Sequence, residues 1–260
     1  MGGIYSYMYT VNRKYGWKRD VFDHRDQVHR FASTDKKSLD LSTSGPQEIY
    51  DQGELGSCTA NAIAFAFEFD EYKQNTPNNK FTPSRLFIYY NERNMEGNVS
   101  TDSGAEIRDG IKSINKIGVC PETVWPYDIS KFTEKPKKVC YNIAKHHKTI
   151  QYQRVIQNMS QLKAALSNGY PVVFGFLVYE SFESEKTATS GIVQIPKKDE
   201  QVLGGHAVVL VGFNDTTKMF KVRNSWSNKW GDKGYCYFPY DYIKNPNLCS
   251  DFWTVEKIML

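Results

Sequence analysis

Apolar positions in the first half of the chain recur at helical spacing. From Cys58 the run ANAIAFAFEF is apolar on nearly every side, which is typical of a helix buried in a core. Ser57 stands before it as a candidate N-cap. The stretch FTPSRLFIYYNERN predicts a second helix, capped by Thr82 with Pro83 at its first position. The stretch GAEIRDGIKSINKIG predicts a third helix that stops at Gly118.

The pattern changes after about residue 150, where short runs rich in Val, Phe and Tyr lie between Gly, Pro, Asn and Asp. One more short helix, MSQLKAALSNG, ends at Gly169. The predicted strands that follow it are PVVFGFLV, GIVQIP, HAVVLVGF, MFKVRNSW and GYCYFPY. Helices in the first half and strands in the second indicate an α+β fold with two lobes and a groove where they meet.

Residues 1–45 show little sustained periodicity and close at the boundary signal STSGPQ. We therefore divide the chain into an N-terminal extension (1–45), a mainly helical lobe (46–150) and a mainly β lobe (151–260). We expect the extension to pack against the rest of the protein through Tyr15, Trp17 and Phe22.

Composition narrows the class of protein. Of the 260 residues, 40% are hydrophobic and 14% aromatic, which suits a globular chain and not a disordered one. The net charge of +4 is mild and the lysines are scattered, so we expect no nucleic-acid partner. The five cysteines lack the C-x-x-C spacing of a metal site, and we expect neither metal nor cofactor. An odd count leaves at least one thiol unpaired, and any pairing among Cys120, Cys140, Cys236 and Cys249 stays open.

The start of the sequence has no uninterrupted apolar h-region, and no segment approaches the roughly 18 apolar residues of a membrane span. We therefore expect an intracellular, cytoplasmic monomer with no membrane span.

Three residues are candidates for chemistry. Cys58 lies at a predicted helix N-terminus, where free N–H groups and the helix dipole favour a thiolate and lower the thiol pKa. His206 lies between glycines and a strand, and Asn224 ends the next strand of a predicted hairpin. Each residue alone has an ordinary structural explanation, as a core thiol, a structural histidine or a turn residue.

Taken together, the segments DQGELGSC, GGHAVVLVGF and RNSWSNKWGDKGY resemble the papain family of cysteine peptidases in order and spacing. His206 lies 148 residues after Cys58, and Asn224 lies 166 after it. The resemblance covers about residues 45–260 and implies a papain-like fold, a helical lobe and a β-barrel-like lobe with the active-site cleft between them.

The resemblance also implies roles. Cys58 would be the nucleophile of a thiol endopeptidase that passes through a thioester, with His206 as base and acid. Asn224 would orient the imidazole, Gln52 would donate to the oxyanion, and Trp226 would cover the His206–Asn224 hydrogen bond. A peptide ligase or transamidase of the same fold, or an inactive binding relative, are the alternatives.

Two departures from the family pattern point to a branch. Leu55 stands where a cysteine usually precedes the nucleophile, and Thr59 stands where Trp or Tyr usually follows it. Both resemble the disulfide-poor microbial branch, some of whose members carry only short N-terminal segments. We therefore expect residues 1–45 to act as a short pro-segment that lies across the cleft and inhibits, or to prop one lobe.

Substrate contacts follow from the same resemblance. Ser103 and Gly104 are the candidates for pairing with the substrate backbone. Gly205 is the candidate for lining an open, uncharged pocket that accepts a bulky apolar side chain at the second position before the cut. The loop at 178–191 either borders the leaving-group side of the cleft or is a solvated connection.

Overall fold

The computed structural model describes residues 13–74 and 80–259, so the first twelve residues of the predicted extension lie outside the described part. The fold is α+β, as predicted, with helices packed against one large sheet. The helices are α1 (Cys58–Lys73), α2 (Arg85–Met95), α3 (Ile107–Lys116), α4 (Lys138–Ala144), α5 (Met159–Ser167), α6 (Glu185–Ser190) and α7 (Tyr240–Lys244).

Helix α1 forms the centre of the core. All but the last two of its residues are buried, because its apolar side chains face α2 and α3 on one side and the sheet on the other. Ser57 is its N-cap residue as predicted, but the Ser57 side chain makes no capping hydrogen bond. The Ser57 hydroxyl instead lies 2.5 Å from the Tyr127 hydroxyl.

The start of α2 differs from the prediction. Its N-cap is Ser84, whose side chain accepts a hydrogen bond from the Phe87 N–H, and not Thr82. Pro83 is drawn into an isolated bridge with Pro121, so it precedes the helix. The ends of α3 and α5 are confirmed, since each stops within two residues of a glycine at positive φ, Gly118 or Gly169.

The strands are β1 (Trp17–Lys18), β2 (Val28–His29), β3 (Ser38–Asp40), β4 (Ala105–Glu106), β5 (Thr149–Val155), β6 (Val172–Tyr179), β7 (Val202–Asn214), β8 (Met219–Arg223), β9 (Tyr235–Pro239) and β10 (Cys249–Ile258). The large sheet has the order β2-β5-β10-β6-β7-β8-β9, and β3 adds to β7. Among the described residues this sheet is open, so the β lobe is not a closed barrel.

Four of the five predicted strands are confirmed as β6, β7, β8 and β9. The prediction of a strand at GIVQIP is wrong, because this run contributes an isolated bridge between Ile192 and Tyr237 and not a strand. Strands β5 and β10 went unpredicted, although β10 lies centrally between β5 and β6 and is buried almost continuously. Continuous burial removes the alternation of polar and apolar residues by which a half-exposed strand is recognised.

The N-terminal extension is built into the fold in two different ways. Residues 13–20, the cleft segment, run between the lobes, where β1 pairs in parallel with β4. Residues 26–42, the sheet segment, add β2 to β5 and β3 to β7. Tyr15 and Trp17 pack as predicted, but Phe22 is 89% exposed and packs against nothing, because it lies in the turn between the two segments.

All five cysteines are free thiols and all are buried. Within residues 13–74 and 80–259, no helix has the length and apolar content needed to cross a bilayer. The three-way division of the chain at residues 45 and 150 stays a prediction.

Candidate active site

Cys58 is the first residue of α1 and is completely buried where α1 meets β7. Burial raises the pKa of its thiol to about 12, although the backbone N–H groups of Ala207, Gly16 and Thr59 lie against the sulfur and lower the pKa. This is the opposite of the lowered pKa expected for a helix N-terminus. The reason is burial, which outweighs these hydrogen bonds; one of them comes from Gly16, so the cleft segment lies against the sulfur.

His206 and Asn224 are brought together by the β7–β8 hairpin. His206 Nε2 lies 2.8 Å from Asn224 Oδ1, and the same oxygen accepts a hydrogen bond from the Ser225 N–H at 2.8 Å. Because this oxygen accepts both bonds, Nε2 carries the imidazole proton and Nδ1 is the basic nitrogen. Nδ1 is buried without a hydrogen-bond partner in the described residues. Burial lowers the pKa of His206 to about 4, so the imidazole is neutral at rest.

Trp226 covers this pair. Its ring stacks on His206 with centroids 4.8 Å apart and planes 28° apart. Phe182 supports the indole edge-on at 5.4 Å. Trp226 itself is 1% exposed, so the ring shields the His206–Asn224 hydrogen bond from water, as the sequence suggested.

Gln52 is completely buried and its amide is held in one orientation. The Ser225 hydroxyl donates to Gln52 Oε1 at 2.8 Å, which leaves Nε2 as a donor. Nε2 donates to the Leu55 carbonyl at 3.0 Å and to the Lys14 carbonyl at 3.2 Å. The Lys14 carbonyl oxygen therefore accepts from the amide that the sequence analysis assigns to an oxyanion.

The wall of the cleft opposite β7 is formed by the loop that includes Gly104. The Ala105 N–H donates to the Gly16 carbonyl at 2.7 Å, and a Cβ on Gly104 would lie 2.1 Å from that same oxygen. Gly104 therefore lies against a peptide backbone, but the hydrogen bond to that backbone comes from its neighbour Ala105, so the pairing of Gly104 with a substrate stays a prediction. The Ser103 hydroxyl, in contrast, donates to the carbonyl of Gly104.

The sequence analysis missed Ala105, whose N–H donates to the Gly16 carbonyl. It also missed the side chains that hold this loop in place. Tyr89 accepts the Gly104 N–H and donates to Asp102, which in turn accepts the Gly56 N–H. The position of Ala105 directly after Gly104 was the available signal. The Tyr89 contact had none, because it joins α2 to a distant loop.

Trp17 fills a pocket between the two lobes and is 6% exposed. A Cβ on Gly175 would lie 1.9 Å from Trp17 Cε2, and a Cβ on Gly205 would lie 2.8 Å from Trp17 Cε3. Both glycines leave the volume that the indole occupies. Gly205 thus lines the space that Trp17 fills, and its role in binding a substrate side chain stays a prediction.

The opposite end of the cleft holds Arg13 and Tyr15. The Arg13 guanidinium lies 4.2 Å from the centre of the Trp226 ring, and the Tyr15 hydroxyl donates to Glu183. The Tyr15 ring meets His206 edge-on at 6.3 Å. The positive charge of Arg13 also contributes to the lowered pKa of His206.

The structure brings together five of the predicted residues, Cys58, His206, Asn224, Gln52 and Trp226, and the cleft segment lies against them and against Gly104 and Gly205. Among the described residues, no group of three or more His, Cys, Asp or Glu side chains has the geometry to hold a metal ion.

Comparisons with known proteins agree with this geometry. The family model described as papain family cysteine protease matches residues 36–250. An uncharacterised peptidase C1-like protein, L477, of Acanthamoeba polyphaga mimivirus is 44% identical over 276 residues, covering 96% of this chain and 88% of that protein.

Two solved structures are similar as well. Xylellain, a cysteine protease from Xylella fastidiosa, superposes with a TM-score of 0.86 at 42% identity, covering 94% of this chain and 96% of the other. Digestive procathepsin L 3 of Tenebrio molitor superposes with a TM-score of 0.68 at 18% identity, covering 92% of this chain and 75% of the other, and shows the fold alone.

Proposed function

The chain belongs to the papain family of cysteine proteases, and on that premise we propose that it is an endopeptidase with Cys58, His206, Asn224 and Gln52 as its catalytic residues. We propose further that its own cleft segment inhibits it. One observation carries both: a stretch of peptide already lies beside Cys58, with the Lys14 carbonyl on the Gln52 amide.

The resting site has a neutral thiol and a neutral imidazole. When the cleft segment leaves, water returns and the desolvation that raises the thiol pKa and lowers the imidazole pKa is relieved. The Cys58 proton then passes to His206 Nδ1. The resulting thiolate sits at the N-terminus of α1, whose free N–H groups and dipole stabilise an anion.

The reaction then follows from the positions of the donors. The thiolate attacks the scissile carbonyl carbon, and the oxyanion accepts hydrogen bonds from Gln52 Nε2 and the Cys58 N–H. His206 gives its proton to the leaving amine as the C–N bond breaks, which leaves a thioester. His206 next takes a proton from water, the hydroxide attacks the thioester, and the carboxylic acid departs as the thiol is restored.

Asn224 and Trp226 act through His206. The Asn224 oxygen holds the ring so that Nδ1 is the nitrogen that exchanges protons with Cys58. The Trp226 ring keeps water from competing for that hydrogen bond.

The direction of the cleft segment supports inhibition without self-cleavage. Its N-terminal end, at Arg13, lies on Trp226, and its C-terminal end, at Trp17, lies in the Gly205 pocket. A substrate binds with the second residue before the cut in the Gly205 pocket, and the part after the cut, which carries the leaving amine, then lies toward Trp226. Its chain direction is therefore opposite to that of the cleft segment. The segment therefore fills the cleft with its peptide bonds reversed.

Trp17 also supports a substrate preference. An indole fits between Gly175 and Gly205, so we propose that the released pocket accepts a large apolar or aromatic side chain at the second position before the cut.

Labelling with a thiol-reactive peptidyl epoxide tests the catalytic assignment. In the full-length chain carrying Trp17→Ala, whose cleft segment is weakened, we expect modification at Cys58 and at none of the four other buried thiols, and His206→Ala in that chain should lose the reaction. Mass-spectrometric peptide mapping reads out the site. Equal labelling of several thiols, or undiminished labelling of His206→Ala, would refute the assignment.

A further inference from the structure

The loop at 178–191 lies against the cleft and is not a detached surface connection. Its turn at Glu180–Glu183 places Phe182 under the Trp226 ring, with centroids 5.4 Å apart. Glu183, the next residue, accepts the Tyr15 hydroxyl of the cleft segment. A carboxylate of this loop therefore faces the leaving-group side, the part of the cleft around Trp226.

Arg13 of the cleft segment occupies this leaving-group side of the cleft. Its guanidinium lies over the indole of Trp226 at 4.2 Å from the ring centre, which is within the range of cation–π attraction. Glu183 and Asp51 both act on it with their negative charge, whereas burial lowers its pKa. Its Nη1 is buried without a hydrogen-bond partner in the described part of the chain.

We propose that Trp226, Glu183 and Asp51 form a cation subsite that selects peptide substrates with an arginine immediately after the cut. The inference rests on the proposed peptidase function and on the observation that an arginine already fills the subsite. Arginine fits better than lysine, because a planar guanidinium stacks on an indole and a carboxylate can bind its fork of donors.

The preference for arginine follows from what the cleft segment leaves behind when it is released. When Arg13 leaves, an indole face and two carboxylates remain without their cation. An arginine of the substrate restores the stacking on Trp226 and the attraction to the two carboxylates, whereas a neutral side chain offers these carboxylates no charge. A cation at this place also lowers the pKa of His206, as Arg13 does, and so favours transfer of the imidazolium proton to the leaving amine.

The full-length chain carrying Arg13→Ala and Trp17→Ala is the background for the test, because it keeps every element of the fold and weakens the cleft segment. Its substrates are fluorogenic peptides that differ only after the scissile bond, with arginine or with norleucine there. We expect kcat/KM for arginine to exceed that for norleucine by roughly 10-fold, and Glu183→Gln to remove most of that preference.

Glu180→Gln is the matched control. Glu180 lies in the same turn, but its carboxylate accepts the Gln201 N–H at 3.4 Å and does not contact the cleft segment. This variant should keep the arginine preference. Equal kcat/KM for the two peptides in the background chain, or a preference that Glu183→Gln leaves intact, overturns the subsite.

A second measurement needs no catalysis, so it separates the subsite from the peptidase activity. In the Arg13→Ala chain, N-acetylarginine amide should quench tryptophan fluorescence saturably, and N-acetylnorleucine amide at equal concentration should not. The quench should disappear in the Arg13→Ala/Glu183→Gln chain and persist with Glu180→Gln. Equal responses to the two amides overturn the subsite, whereas quenching without cleavage of any peptide refutes only the proposed peptidase function.

Discussion

The cleft segment and the sheet segment are neighbours in the chain, yet they do opposite things in the fold. The cleft segment touches both lobes and covers Cys58 with Gly16. The sheet segment extends the large sheet at β5 and at β7. The matched family range begins at residue 36, within the sheet segment, and leaves the cleft segment outside.

The difference teaches that the N-terminal extension is not one removable unit. The cleft segment makes hydrogen bonds with Gln52 and Ala105, where we propose that a substrate binds, so its loss should open the site. In the sheet segment, Phe31 and Leu41 are buried in the core, so its loss should expose apolar surface. Activity and stability should therefore respond separately to changes in the two segments.

Two truncations should show the largest difference. A chain that begins at Ser44 lacks β2, β3, Phe31 and Leu41, and we expect it to lose its folded state, because one buried Phe alone contributes about 3–5 kcal/mol. A chain that begins at Val21 keeps the sheet segment and should fold and be more active than the full chain. Thermal unfolding and peptide hydrolysis measure the two effects, and a folded, active Ser44 chain would contradict the division.

Single substitutions sharpen the same comparison, because Trp17 and Phe31 are equally buried at 6% exposure. Trp17→Ala should raise peptidase activity of the full chain by about 100-fold, since losing a buried Trp costs the docked segment about 3 kcal/mol or more. Phe31→Ala should lower the free energy of unfolding by a similar amount and leave the cleft closed. Activation by both substitutions to the same extent would show that the two segments dock as one.

Gly16→Ala probes the closest approach of the cleft segment. A Cβ on Gly16 would lie 1.6 Å from the Gly56 carbonyl oxygen, so the segment must move off the α1 terminus. Overpacking of this kind costs about 1–3 kcal/mol, which predicts a roughly 10- to 100-fold gain in the rate of Cys58 labelling. The control is Phe22→Ala, because the Phe22 side chain lies just after the cleft segment and is 89% exposed. A labelling rate that Gly16→Ala leaves unchanged would contradict this packing.

The smallest predicted effect is a pH dependence of docking between about pH 6 and 8, which arises at Asp20, the last residue of the cleft segment. Burial and the neighbouring Asp251 raise the pKa of Asp20 to about 7, although Trp253 Nε1, the Arg108 N–H and Arg154 donate hydrogen bonds to it. Two further carboxylates, on Asp26 and Glu106, share the arginines of this cluster.

The sign follows from proton linkage. A released Asp20 ionises near its ordinary pKa of about 4, so docking takes up a proton between about pH 4 and 7. Docking is therefore strongest in acid, weakens as the pH rises from about 4 to 7 and levels off above 7, so that only about 10-fold of the change falls between pH 6 and 8. The ratio of Cys58 labelling rates in the full chain and in the chain beginning at Val21 measures docking without the intrinsic titration of the site. Asp20→Asn should flatten that ratio, and inhibition that weakens on acidification would contradict the assignment.

Motifs that are local in sequence were predictable. The segments around Cys58, His206 and Asn224 each carry their signal within a few residues, and the fold class followed from the change in apolar spacing near residue 150. Helix ends at Gly118 and Gly169 were equally local, because only glycine readily takes the positive φ found near there. Errors arose where a distant contact prevailed, as at Pro83, whose pairing with Pro121 delays the start of α2.

The sequence by itself indicated the α+β fold class through its apolar spacing, and the resemblance of its motifs around Cys58, His206 and Asn224 to a known family indicated the family. Only the tertiary structure decided the state of the site. The pKa of Cys58 depends on whether Gly16 excludes water from it, and the Gln52 donor depends on where the Lys14 carbonyl lies. Both contacts join residues that lie about 40 positions apart in the chain. No local sequence pattern predicts where an extension without regular periodicity will dock.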